Sequence, residues 1–482
     1  MRYLLLLCFP ITLLAQSPSY DRNKTFTIPA LKEDLQIFRH HLETVHGGLY
    51  TYTSKEEMDA YFAELKATLQ APLTELDFYT LISKTSAQIK DAHTGIYASA
   101  ACLNYVDEQM KLLPLGIRWI DGSLYIRRNF STKEDLEIGS ELLSINGHDA
   151  ITIFNQLLPM IERDGNNLTS PRRELSGLFM DRYGMVFGEP DTFAVVLKQK
   201  DGAIIKYDLA SRTWPDQVAT WKTRYGFQSN TDKQQLKLAI QGDIATLTVK
   251  SWSPGRIKAG KQKFKSFFRE AFEQIHAQNV QHLILDMRNN GGGSEVVFME
   301  LLGHLLQEPY IVYKELSTRT DQIPDHQYYP NDKVKQLEKF AQKKMIKRGD
   351  RFHLKKDASL VPADPLTPHY QGQLYVLINE KSHSATGDLS GLLQAHRLGI
   401  FIWNETGGNP YENTAGDAPF LHLPNTGIRV LIPTLKFGIN RPDENTGRGV
   451  IPDHILIPSI EDIIEGRDVE MQFTLELIKS NR

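Results

Sequence analysis

Leu31, Leu35, Phe38, Leu42 and Val45 recur at the spacing of one helix face, and the pattern stops at Gly47-Gly48. Ser54, followed three positions later by Glu57, predicts a capping box for a second helix with Met58, Phe62, Leu65 and Leu69 on its apolar side. A third helix follows Thr74 and runs through Phe78, Leu81, Ile82 and Ile89. Residues 25–95 therefore read as an all-helical segment that closes around Asp91-Ala92-His93-Thr94.

Between 105 and 212 the texture changes to short alternating runs separated by turns: Leu113 to Ile120, Ser123 to Arg127, Glu141 to Gly147 and Thr192 to Leu197. These predict a compact β-rich module. From 213 to 482 the pattern alternates: Ile244–Val249 and His282–Met287 read as strands, with a helical stretch from Lys261 to His276 between them. Tyr375–Ile378 is a further buried strand, followed by the helical spacing of Leu389, Leu392 and Leu393. That order predicts an α/β domain with a mostly parallel sheet and covering helices. It is interrupted over 318–370 by an irregular insertion whose basic run, Lys333 to Arg348, reads as a solvated surface helix, with a substrate-guiding lid as the alternative.

Composition narrows the function classes. With 55 Lys and Arg against 58 Asp and Glu, the net charge of −3 favours neither nucleic acid nor a strongly cationic partner. Arg2, the apolar run Leu4–Leu14 and the small residue Ala15 have the three parts of a secretory signal over 1–15, too short to span a bilayer. The expectation is an exported protein, periplasmic or extracellular, without stable membrane insertion once the signal is removed. Cleavage would remove Cys8 and leave Cys102 as the only cysteine, which excludes an intrachain disulfide. Cys102 lies in Ser-Ala-Ala-Cys-Leu, with no glycine turn or adjacent base to activate a thiolate.

Two strand-turn-helix strings carry the candidate chemistry. In the first, His282-Leu-Ile-Leu-Asp-Met runs through Asn289-Asn290-Gly291-Gly292-Gly293 straight into a helix. Glycines allow a sharp turn and a close approach, and a helix start offers unpaired N–H groups to an anion. Gly293-Ser294-Glu295 lacks the lysine of a phosphate loop, so an oxyanion fits better than a nucleotide phosphate. In the second, Tyr375-Val-Leu-Ile-Asn-Glu-Lys leads into Ser382, Ser384 and Thr386 at the start of a helix. A serine on such a turn is either a helix cap or an exposed nucleophile. No His-Glu-x-x-His or paired-cysteine pattern suggests a metal, and no cofactor is implied.

Taken together, LILDMRNNGGG and LYVLINEKSHSATGDLSGLLQ resemble the tail-specific, or C-terminal processing, serine peptidase family. The resemblance extends to NETGGN, to GRGVIPDHIL near the end, and to IGSELLSINGHDA and LPLGI, which are similar to PDZ-domain segments. It implies a crotonase-like catalytic domain over 213–482, a PDZ-like domain over 105–212 and the helical domain over 25–95. PDZ domains bind extended peptides at a sheet edge. Thr386-Gly387 departs from the family's usual Ser-Glu.

What the resemblance implies for the site is specific. Ser384 aligns with the nucleophile, and backbone N–H groups of Ala385 and of Gly291 or Gly292 would hold the oxyanion. The lysine that one branch of the family uses as base would fall on Asn409, and no lysine lies between Lys381 and Lys436. The tricorn-like branch takes a histidine from an Asp-Gly-His-Thr-like motif, which puts the base on His93; imidazole is the usual general base near neutral pH. Glu444 is the nearest candidate for the carboxylate that assists it. The expected activity is endopeptidic cleavage of protein or peptide substrates through an acyl-enzyme. A non-catalytic lipophile- or peptide-binding protein on the same fold, and a nonpeptide acyl hydrolase, stay open as alternatives.

Overall fold

The computed structural model describes residues 20–227 and 232–480, so the signal sequence expected over 1–15 lies outside the described residues. The protein is mixed α/β with several sheets. The amphipathic run at the N-terminus forms the helix Ile28–Val45, whose Leu31, Phe38, Leu42 and Val45 are fully buried. Ser54 and Glu57 close the expected capping box on Lys55–Thr68, and Thr74 with Asp77 closes another on Glu75–Ser83.

The β-rich stretch folds as an antiparallel sheet in the order Leu115–Ile120, Ser123–Asn129, Glu141–Ile145, Thr192–Lys198, Ile204–Ala210. Its largest element is one that the strand texture hid, the helix Thr169–Phe187, which packs along Leu115–Ile120. That helix buries polar Ser170, Ser176 and Asp181 among its apolar residues, so no clean apolar stripe announces it. The helices of the N-terminal segment and this sheet share one hydrophobic core, which also takes in Leu421, Val430 and Ile432 from near the other end of the chain.

Six strands make the main sheet: Leu236–Gln241, Ile244–Val249, His282–Asp286, Gln373–Ile378, Ile400–Trp403 and His454–Ile455. The first pair is antiparallel and every later pair parallel. Alternation sorts the side chains to two faces, as a period of two requires. Leu283, Leu285, Val376 and Ile378 face a core covered by the helices Phe264–Ala277, Glu295–Leu305 and Ala385–Ala395. Ile284, Tyr375 and Leu377 face the opposite side, where Ile478 of the last helix, Val469–Ser480, is buried against them.

The insertion is more regular than expected. Its basic run is the helix Lys333–Lys344 followed by a hairpin, Met345–Arg348 with Arg351–Leu354, which extends a second, five-stranded sheet through Tyr313–Thr318 to Leu435–Ile439 and Glu412–Ala415. Among the described residues no helix is long and apolar enough to cross a membrane.

Two parallel neighbours, His282–Asp286 and Gln373–Ile378, end in register, with Asp286 opposite Leu377. Their exit loops therefore emerge side by side, the position at which open parallel sheets hold ligands. Asn289 N donates to Asn379 Oδ1 at 3.0 Å, Asn379 Nδ2 to Asn289 Oδ1 at 3.2 Å and His383 N to Asn290 O at 3.2 Å, which lock one loop to the other. At Gly293 (φ 149°) a Cβ would lie 2.3 Å from the Trp252 carbonyl carbon, whereas at Gly291 it would meet open space. Gly293→Ala should therefore cost about 3 kcal/mol or more in urea denaturation, by overpacking and backbone strain together. Gly291→Ala should stay within about 1 kcal/mol of wild type in the same measurement.

Candidate active site

Three hydroxyls crowd the turn after Gln373–Ile378, and their partners separate them. Ser382 Oγ donates to Met287 O at 3.1 Å and accepts from Asn379 N at 3.1 Å, so it is a structural tie. Thr386 Oγ1 donates to Asn290 O at 2.8 Å and accepts from the buried Trp252 Nε1 at 2.9 Å. Ser384 makes no capping hydrogen bond, although it stands directly before the helix Ala385–Ala395, and its residue is only half-buried. Its backbone has φ 53° and ψ −128°, a region that costs a non-glycine residue about 1–3 kcal/mol. The strain belongs to the one hydroxyl of the three that is left available.

The glycine turn lies against this serine. A Cβ on Gly292 (φ 102°) would fall 2.7 Å from Ser384 Cβ and 3.2 Å from Ala385 N. Gly292 N already donates to Asn290 Oδ1 at 3.0 Å, which removes it from the expected oxyanion donors. Gly291 is exposed, and among the described residues neither its N–H nor that of Ala385, the first residue of the helix, has an acceptor. The departure at Thr386-Gly387 also has a local reason. Thr386 fills the Trp252–Asn290 link, and a Cβ on Gly387 would come within 3.1 Å of the Gly408 backbone.

His93 reaches this region because the strand after it, Gly95–Tyr97, pairs with Arg429–Leu431, joining the N-terminal segment to the far end of the chain. His93 acts electrostatically on both His383, directly before Ser384, and Asp388, one turn into the helix that follows it. Its side chain is 25% exposed, and its Nδ1 lies 3.8 Å from Asp91 Oδ1. Burial works to lower the His93 pKa, but the Asp91 carboxylate, with Asp164 and Asp388 behind it, outweighs burial and raises it.

Asp91 is the centre of this cluster. Its Oδ1 accepts from His93 N at 3.0 Å, and its Oδ2 accepts from His46 Nε2 at 2.8 Å, from Thr94 Oγ1 at 2.8 Å and from Thr414 Oγ1. Burial alone would raise its pKa; the hydrogen bonds from the two histidines hold it well below the usual carboxylate range. Two further carboxyls that sequence reasoning missed stand nearby. Asp164 accepts from Ala92 N at 2.8 Å and Asn409 N at 3.0 Å, and burial lifts it to about 6 despite His93. Asp388 accepts from Tyr313 at 2.7 Å and Asn413 at 2.6 Å, and burial lifts it to about 7.

Glu444 does not join them. It is exposed and has no hydrogen bond or ion pair among the described residues, because its loop is held instead by Arg441–Asp443 and by Asn445. The carboxylate that stands by His93 Nδ1 is that of Asp91, at 3.8 Å. Asn409, where a lysine base would fall, spends its N–H on Asp164, and Lys381 turns toward Glu174 at 3.8 Å. The NETGGN and GRGVIPD strings meet: Arg448 forms a two-point pair with Glu405 at 2.8 and 2.6 Å, and Val450 N donates to Thr406 Oγ1 at 2.8 Å. Asp91, His93 and Asp164 are the one group of three among the described residues whose donor atoms, all within 4.8 Å, could hold a cation. Asp91 already accepts four of the hydrogen bonds just described and Asp164 two. Cys102 is buried and its thiol is pushed up to about 12, as an inert core residue should be.

The sequence pattern of peptidase family S41 matches residues 243–455, the stretch that holds the glycine turn, Ser384 and both closing strings. Residues 243–455 of the chain are similar to this family. An S41 protein is a serine-type peptidase, and so is this one. Mature CPAF has a similar structure: it is 15% identical, with a TM-score of 0.57 over 90% of this chain and 94% of that chain. Mature CPAF complexed with lactacystin is likewise 15% identical, with a TM-score of 0.58 over 91% of this chain and 96% of that chain. At this identity the likeness concerns the fold, and it takes in the segments before the S41 stretch as well. No curated protein matches the chain in sequence.

Two outcomes follow for the site. Ser384→Gly should unfold about 1 kcal/mol less readily than Ser384→Ala, because only glycine relieves the positive φ; urea denaturation of the two variants compares them. A base must be neutral to accept a proton, so kcat/KM should rise with pH through a midpoint above the ordinary histidine value of about 6.5. Asp91→Asn removes the charge that favours the imidazolium and should move that midpoint to lower pH. An unmoved midpoint would separate Asp91 from the titrating group.

Proposed function

We propose that the protein is an exported serine endopeptidase that cleaves protein or peptide substrates through an acyl-enzyme on Ser384, with His93 as general base. The observation that carries this reading is the strained, uncapped Ser384 packed on Gly292, with a carboxylate-backed histidine acting on His383 before it and on Asp388 in the helix after it. His93 directs Nδ1 toward Asp91, which leaves Nε2 for the Ser384 proton. Ser384 Oγ attacks the scissile carbonyl, His93 takes the proton, and the N–H groups of Ala385 and Gly291 hold the oxyanion. His93 returns the proton to the leaving amine, and water, deprotonated by the same histidine, releases the acyl group. Asp91 holds the ring in one tautomer and favours the imidazolium formed in each step.

Histidine rather than lysine as base is the tricorn-like arrangement. The mostly parallel sheet with helices on both faces supports a crotonase-like reading of the catalytic part. The antiparallel sheet with the helix Thr169–Phe187 against Leu115–Ile120 supports a PDZ-like reading of the module before it. Export rests on Arg2, the Leu4–Leu14 run and Ala15.

A serine-directed fluorophosphonate should label the wild type at Ser384 and leave Ser384→Ala unlabelled. Unchanged proteolysis of an unstructured protein by Ser384→Ala would overturn the mechanism. His93→Ala should lower kcat about a thousandfold while keeping the native circular dichroism spectrum, and wild-type turnover in that variant would assign the base elsewhere.

A further inference from the structure

Outside the catalytic cluster, an unbalanced set of charges lines a cavity of about 80 Å³ between the helix Thr169–Phe187 and the strands Leu115–Ile120 and Ser123–Asn129. Arg127, Arg128, Arg173 and Lys381 line it, against the single carboxylate of Glu174. Most of these cations have partners. Arg173 Nε stands 3.1 Å from Glu380 Oε1, an oxygen shared with Arg118 Nη2 at 3.2 Å, and Lys381 faces Glu174 at 3.8 Å. The Arg128 guanidinium lies over the Trp221 ring at 4.6 Å. Arg127 has no ion pair, hydrogen bond or ring contact among the described residues. Burial, with Arg128, Arg173 and Arg118 beside it, pushes Arg127 down to about 9, and no negative group acts against them.

A folded protein gains nothing by holding like charges together, half-buried, unless an anion completes the set. The cavity is also tied to the catalytic turn. Lys381 stands three residues before Ser384, and Ser170, at the start of the helix that walls the cavity, hydrogen-bonds His383 Nε2 at 2.7 Å. Gly177 of that helix leaves the space above it open. We propose that this cavity binds an acidic stretch of the substrate polypeptide, with its side-chain carboxylates on Arg127 and Arg128 while a bond further along lies at Ser384. The proposal deepens the peptidase reading of Ser384 and rests on it for the identity of the ligand as substrate.

The test uses the full chain carrying Ser384→Ala, so that binding is read apart from cleavage. The probe is a fluorescein-labelled peptide of alternating Glu and Ala, compared by anisotropy with the same peptide carrying Gln for Glu. The Glu peptide should bind at least about tenfold more tightly at low ionic strength and lose that preference as salt is raised. Arg127→Gln should abolish the preference, Arg127→Lys should keep most of it, and the thermal midpoint of Arg127→Gln should equal or exceed that of its parent. Equal affinity for the two peptides overturns the proposal, as does a preference that survives Arg127→Gln. A terminal amide on the Glu peptide should change little; loss of the preference on amidation alone would assign the site to the α-carboxylate and overturn the proposal. Fluorophosphonate labelling of the wild type reports independently on Ser384, so a failed binding experiment leaves the peptidase reading standing.

Discussion

A carboxylate taken out of water costs several kcal/mol unless its oxygens are answered. Asp91, only 6% exposed, meets that requirement with donors from remote parts of the chain: His46 at the end of the first helix, Thr94 and His93 in its own turn, and Thr414 in the strand Glu412–Ala415. Gly48 N donates to His46 Nδ1 at 3.0 Å, so the His46 proton sits on Nε2 and points at Asp91. One buried charge therefore fixes the N-terminal segment against the catalytic part and fixes the backbone of His93 in the same act. Asp164 repeats the device one layer away, joining Ala92 to Asn409, the loop before the histidine to the loop after the nucleophile helix.

The serine side is held by backbone geometry more than by charge. Parallel strands in register deliver two loops to one edge of the sheet, and side-chain amides of Asn289, Asn290 and Asn379 absorb the polar groups that the loops would otherwise leave unpaired. Trp252 closes the other side through Ser294 N, Gly292 O and Thr386 Oγ1. So braced, the turn can keep Ser384 in an unfavourable conformation with its hydroxyl unspent. The glycines are the tolerance of this assembly: Gly293 allows the Trp252 backbone to pass, and Gly292 allows Ser384 to pass.

How much of this was legible followed from the range of the interactions. The first two helices, the Ser54–Glu57 capping box and three strands of the main sheet, Ile244–Val249, His282–Asp286 and Gln373–Ile378, are legible because periodicity and capping are local; the third helix stops at Ser83, short of the expected Ile89. The serine turn and the glycine turn were visible as strand-turn-helix strings, and the family pattern joined them. The helix Thr169–Phe187 was missed, since its buried polar residues break the apolar stripe. His46, Asp164 and Asp388 were missed because each acts through partners distant in sequence, and no spacing rule connects His46 to Asp91 or Asp164 to Asn409. Glu444 was chosen by offset from a motif, and offsets do not survive a loop whose path is set by Arg441, Asp443 and Asn445. Asp91 alone carries a local signal, standing two residues before His93.

The two charged clusters of the protein obey opposite rules, and the contrast is informative. The Asp91 carboxylate is answered by histidines and hydroxyls, and such completeness serves rigidity. Around Arg127 the count is short of anions, and the neighbouring Glu380 gives one oxygen to two arginines while its other oxygen, buried, has no partner. A fold selected only for stability would have neutralised Arg127, which is half-buried on Ser123–Asn129, a strand with neighbours on both sides. Local violations of this kind concentrate where a protein meets its ligand. The helix that walls the unbalanced cavity begins at the hydrogen bond to His383, so whatever supplies the missing charge pulls on an element in contact with the nucleophile turn.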